Sequence, residues 1–253
     1  MRMVPLVFLQ ATIRRLFRTR NHAPADSSLR LHRSSTAFTR IELIVIIAIV
    51  AVILILAWPA FNNALVKRDL TRTMNHGREL YLAAFRMATD GAAKADSSRA
   101  WPGDYSTNSL TEYCTKLVQN GYVNSVELQR MLSAPGAECQ ARPADPPATL
   151  LLSGRTALKL YKVKAADPSN TIFAASSNYV YDTPLNPNTV PFGDAGFVVV
   201  RKSGDAGVYK KNQATLAGFD NVEKFQSDIG ALPGAVKGKV EPGDGTTVLA
   251  APP

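Results

Sequence analysis

The chain has 253 residues, 46% of them hydrophobic and 19% charged, which leaves room for one moderate globular domain beside a membrane segment and crowds out two full soluble domains. Its formal charge is +9, yet residues 1–37 hold seven Arg against one acid, a net of +6 that leaves only +3 for the rest. A nearly balanced body gives little reason to expect a nucleic-acid footprint, and a single His beyond residue 37 nearly excludes a His-based triad or a multi-His metal centre.

In chain order, residues 1–37 are Arg-rich, Lys-free and interrupted by NHAPADSS, the pattern of a basic leader rather than of a folded element. Within the leader, Val4, Leu6, Val7, Leu9, Ile13 and Phe17 could line a short amphipathic helix. Residues 38–61 follow as a transmembrane helix. Ile41 to Phe61 carries Glu42 as its only charge and gives about 32 Å of helix, enough to cross a hydrocarbon core. Dense arginines before it and the longer stretch after it predict an N-inside, C-outside orientation. Pro59, near the far end, removes a helix hydrogen bond and predicts a kink or local unwinding rather than a stop.

Over residues 62–90 the helix signal becomes one-sided. Leu70, Met74, Gly77, Tyr81, Phe85 and Ala88 recur at spacings of three and four, while most of the charges fall elsewhere, so this half should dock on a folded head. Gly91 reads as the stop, and Pro102-Gly103 as a turn. Residues 91–231 make up the head. Ser109–Asn120 and Ser125–Leu132 read as short helices, PGAECQARPADPPAT as a proline-rich crossing loop, and TLLLSG, ALKLYKV, NYVYD and GFVVVRK as strands. GFVVVRKSGDAGVYKK is the clearest hairpin, with Ser203–Gly207 as its loop, and a helical turn or two is expected within 213–230. Residues 232–253 are rich in Gly, Pro, Ala and Thr and read as a flexible tail. The fold class is α+β: a long N-terminal helix packed on a small antiparallel sheet.

Motifs for chemistry are missing. Neither GxxxxGK[ST] nor GxGxxG opens a helix, so nucleotide binding has no support, and no enzymatic activity is expected. His76 reads as a solvated or capping residue. Trp101, Tyr105 and Tyr113 form either an exposed recognition patch or part of the head's core. Cys114 and Cys139 have no CxxC spacing; they read either as one disulfide closing a loop of about 25 residues, if the head is exported, or as two buried thiols.

The stretch AFTRIELIVIIAIVAVILILAWPAF resembles the N-terminal cleavage and methylation motif of type IV prepilins and type II secretion pseudopilins. The resemblance covers about 25 residues, and its Phe, Thr, Ile and Glu stand in register before a full-length apolar helix. It implies a pilin-like fold and cleavage by a prepilin peptidase between Ala37 and Phe38, with N-methylation of Phe38. It also implies that Glu42 pairs with a neighbouring subunit's N-terminal amine during filament assembly, and that Pro59 occupies a proline position common in the family. Ala37 stands where Gly is usual, Arg40 stands where an apolar residue is common, and the leader is long. Arg40, as a fixed charge two residues away, is a rival partner for Glu42.

The implied partners are prepilin peptidase, homo- or hetero-oligomeric pilin-like subunits, inner-membrane assembly machinery and membrane lipid, at a bacterial inner membrane with a periplasmic head. No cofactor is implied except calcium in some pseudopilins, for which Asp182, Asp194, Asp205 and Asp220 in loops are the candidates; without EF-hand spacing, turn formation is their expected role. Among the family's uses, a type II secretion pseudopilus subunit is the expected function. The alternatives are a true type IV pilus subunit serving adhesion, motility or DNA uptake, an uncleaved single-span binding protein with an exported recognition domain, and a membrane-tethered enzyme.

Overall fold

The computed structural model describes residues 39–105, 108–144 and 149–252; residues 1–38, which hold the expected leader and the Ala37–Phe38 junction, lie outside them. The chain divides into two units, Met1–Ala51 and Val52–Pro253. Helix α1 (Arg40–Lys94, 55 residues) is continuous through Pro59. Among the described residues of the first unit every side chain is exposed.

In the second unit α1 becomes one-sided. Leu70, Thr73, Gly77, Leu80, Ala84, Met87 and Gly91 recur at three- and four-residue steps and are buried. Phe85, expected on this face, is 45% exposed, while Leu80, Ala84 and Met87 carry the packing in its place. The helix also passes its expected stop at Gly91. It ends at Ala95, which takes a left-handed φ of 52°, while the Asp96 amide donates back to the Gly91 carbonyl at 2.9 Å, a closure that satisfies an end-of-helix carbonyl. Gly91 serves close approach: a Cβ there would stand 1.7 Å from the Arg99 carbonyl oxygen.

The head holds α2 (Leu110–Gln119) and α3 (Ser125–Leu132), then strands β1 (Cys139–Ala144) and β2 (Thr149–Gly154), an antiparallel pair. The expected crossing loop is therefore partly strand. Pro143, opposite Leu150, lies on an edge strand, where its missing N–H costs no ladder bond. Strands β3 (Leu158–Leu160), β4 (Ile172–Ser176), β5 (Phe197–Arg201) and β6 (Ala206–Tyr209) form an antiparallel sheet in that order. The β5–β6 hairpin pairs Phe197 with Tyr209 and Val200 with Ala206. Its turn is closed by the Gly204 amide donating to the Arg201 carbonyl at 2.9 Å, with Gly204 at φ +86°.

NYVYD is not a strand. The strand at this point is IFAAS, buried along its whole length, and Asn178–Asp182 turns away with Asp182 at φ 49°. Ala-rich sequence has weak strand propensity, and burial on both faces removes the alternation that would mark it. α1 lies close against this sheet: a Cβ on Gly77 would come within 2.7 Å of Val200 Cγ2. Tyr81 donates from its hydroxyl to the Lys202 carbonyl at 2.7 Å and meets Phe173 edge to face. After two 3-10 turns, α4 (Val222–Asp228) supplies the helical turns expected late in the head.

The C-terminal segment is ordered, contrary to its composition. The Leu249 amide donates to the Leu160 carbonyl at 2.9 Å and the Lys162 amide to the Thr247 carbonyl at 2.7 Å, so the chain runs along the free edge of β3. The Leu110 amide, at the start of α2, donates to the Ala250 carbonyl at 3.0 Å. Leu249 is 2% exposed. Backbone pairing to an open strand edge orders a segment whose side chains alone would not.

Candidate functional site: a capped apolar helix and its head

The first turn of α1 is a capping box. The Thr39 hydroxyl accepts from the Glu42 amide at 3.3 Å, while Glu42 Oε2 accepts from the Thr39 amide at 2.8 Å and from its hydroxyl at 2.9 Å. Thr-x-x-Glu ahead of an apolar run is the sequence signature of this device, and Thr39 is the residue that sequence reasoning passed over. Arg40, the rival considered for this carboxylate, forms no ion pair with it among the described residues. Glu42 is thus held by its own helix start in the isolated chain, an arrangement that a positive partner would have to share or replace.

From this cap the helix presents an apolar surface on all sides, with Ile41 70%, Ile47 59%, Ile55 72% and Phe61 64% exposed. It is the one helix among the described residues that is long and apolar enough to cross a membrane, and none of its apolar window is buried. By length and composition it is compatible with a single span. Ala37 and Phe38 lie outside the described residues, so the structure places only Glu42 and Pro59 of the family-derived positions.

In the head the candidates scatter. Asp182 accepts from the Leu216 amide at 2.7 Å, Asp194 pairs with Lys211 at 2.6 Å, Asp205 accepts from the Ser203 hydroxyl at 2.9 Å, and Asp220 pairs with Lys224 at 2.7 Å. Asp205 and Asp220 serve their own turn and helix start, while Asp182 and Asp194 tie their loops to the 211–216 segment. Among the described residues no three His, Cys, Asp or Glu side chains group so as to hold a metal ion.

Trp101 and Tyr113 belong to the core, at 8% and 0% exposure, and Tyr105 packs on Tyr113 with ring centroids 6.0 Å apart. His76 is not solvated. It is 7% exposed and its Nδ1 has no hydrogen-bond partner among the described residues. Burial holds its pKa below the usual imidazole value; Glu79 opposes that, and Arg72 and Arg130 add to it.

The strongest polar constellation in the head is one that sequence reading did not find. Lys159 on β3 pairs with Asp244 and donates to the Tyr179 carbonyl. Asp244 also accepts from the Tyr161 hydroxyl at 2.7 Å and the Tyr181 amide at 3.2 Å. Burial lowers the Lys159 pKa, and Asp244 works against that. With every donor aimed at one carboxylate, the cluster fastens the C-terminal segment to the sheet. A groove of about 490 Å³ lies between the end of α1 and the Trp101–Asp104 turn. Asp96, Arg99 and Asp104 are its charges.

Comparison with family models, with curated proteins and with solved structures gave no match to this chain.

Proposed function

We propose that the chain is a pilin-like structural subunit of the bacterial inner membrane. A prepilin peptidase cuts it between Ala37 and Phe38, and it assembles through its apolar helix into a type II secretion pseudopilus. What carries the reading is one juxtaposition: a basic stretch, residues 1–37, ending at Ala37 and followed by FTRIE at the start of an apolar run that is not buried among the described residues. A helix exposed on all sides by Ile, Leu and Val must be covered by lipid or by like helices.

Glu42 is the residue of interest in that setting. An unpaired carboxylate among packed apolar helices is expensive, whereas one matched to a neighbour's amine sets the register between subunits. The Thr39–Glu42 box supplies the state before assembly, in which the carboxylate is already hydrogen-bonded.

The test is the intact mass and N-terminal sequence of the protein from membranes of a cell with active prepilin peptidase. A chain that begins at N-methylated Phe38 is expected. A chain that retains residues 1–37 overturns the reading in favour of an uncleaved, single-span binding protein, the alternative favoured by Ala37 at the junction.

A further inference from the structure

The register of the β1–β2 pair sets Cys139 opposite Gly154, Ala141 opposite Leu152 and Pro143 opposite Leu150. Cys139, Ala141, Leu150 and Leu152 are buried, while Gln140, Arg142 and Leu151 point outward, so the first four define the inner face. α2 packs on β2 and α3 on β1. The buried residues of α2 are Leu110, Tyr113, Cys114 and Leu117, which places the Cys114 thiol in the same apolar cluster as Cys139. The two cysteines, 25 positions apart in sequence, are both free, buried thiols in this structure, Cys114 on the helix that packs on β2 and Cys139 at the start of β1, the strand paired with β2.

We infer that Cys114 and Cys139 are a modification site: they join as a disulfide that staples α2 to the start of β1 while the exported head is folding. This rests on the reading that the head reaches an oxidising compartment.

Timing is part of the inference. Burial raises both thiols, Cys139 to about 11 and Cys114 further, with the neighbouring Cys139 adding to the effect on Cys114. At 0% and 2% exposure neither thiol meets an oxidant once the core has closed. The bond must form earlier, by exchange with a disulfide-bearing thiol oxidoreductase. One cysteine thiolate attacks the oxidant's S–S bond to give a mixed disulfide. The other cysteine thiolate then displaces it, so the two cysteines lose two protons and two electrons and the oxidant leaves as a dithiol.

The full chain, made in a bacterial cell, is the material for the test. Protease added to spheroplasts locates the head, and peptides 100–116 and 131–155 are then mapped by mass after denaturing alkylation without reductant. A protease-accessible head with these two peptides linked is the expected result. Reductant should then lower the melting temperature of the purified protein by roughly 5–10 °C. A chain folded in a reducing cytosol should keep two free thiols and stay unlinked when oxidised glutathione is added to the native protein. An accessible head in which both cysteines carry the alkyl group overturns the cross-link and leaves the export reading standing. A protected head with two free thiols overturns both.

Discussion

The two halves of α1 both carry apolar side chains and meet opposite fates. From Ile41 to Phe61 the side chains, Pro59 aside, are exposed around the whole circumference. From Leu70 to Gly91 a stripe is buried, with Leu80, Ala84 and Met87 at 0% exposure. The difference is one of periodicity. A stripe one face wide matches a single sheet, whereas a surface apolar on all sides has no single partner large enough within the chain and needs a medium or a bundle.

The sharpest break of this comparison is at Glu42. Glu42→Ala should leave the head's melting temperature unchanged and cut cross-linked or sheared filament more than tenfold; wild-type filament levels would remove the assembly role. Glu42→Gln separates the two uses of the side chain, because Gln still caps Thr39 but cannot neutralise an amine. Filament restored by Gln would make capping the function, and filament lost with Gln would make it charge.

Next in size is Asp244→Ala, which leaves Lys159 buried without its counter-charge. It should destabilise the head by about 3–5 kcal/mol and raise amide exchange at Leu249 and Lys162, measured by denaturant melts and hydrogen exchange. Slow exchange retained at those amides would show that the backbone ladder alone holds the C-terminal segment. A little smaller is the contrast within α1 itself. Leu80→Ala should cost about 2–5 kcal/mol in the head, while Ile49→Ala should leave the head's melt where it was. Equal costs at both positions would end the division of α1 into bare and docked halves.

The smallest effect is a pH dependence. The folded-state pKa of His76 is lowered, so below about 6.5 the unfolded chain takes up a proton that the folded chain resists, and stability falls as pH drops through that window. His76→Leu should flatten this part of a melting-temperature profile. Glu79, Arg72 and Arg130 are the charged groups that bear on the imidazole, so an unflattened profile would point to them.

Much of the helical skeleton was legible because its cues are local. Asn124 and Glu127 form a capping box at the start of α3, with the Glu127 amide donating to Asn124 at 2.8 Å, and the expected span Ser125–Leu132 is the observed one. Ser203 and Gly204 marked the hairpin turn for the same reason. Thr39 was equally local and equally readable, since Thr-x-x-Glu states a cap in four letters. IFAAS was harder to read because a strand buried on both faces has no alternation, and β1 was hidden by Pro143, which only an edge position tolerates.

By itself the sequence determined a helix of membrane length with one carboxylate in its first turn, the α+β class and the β5–β6 hairpin. All of these follow from periodicity, capping and turn chemistry within a few residues. Tertiary structure alone decided that Gly91 admits the Arg99 carbonyl instead of ending a helix, and that His76 is buried. It also decided that Cys114 and Cys139 face one core, and that a Gly- and Pro-rich end is ordered along β3 by Lys159 and Asp244. Each of these outcomes depends on a partner distant in sequence, where burial and backbone pairing outweigh the preference of the residue itself.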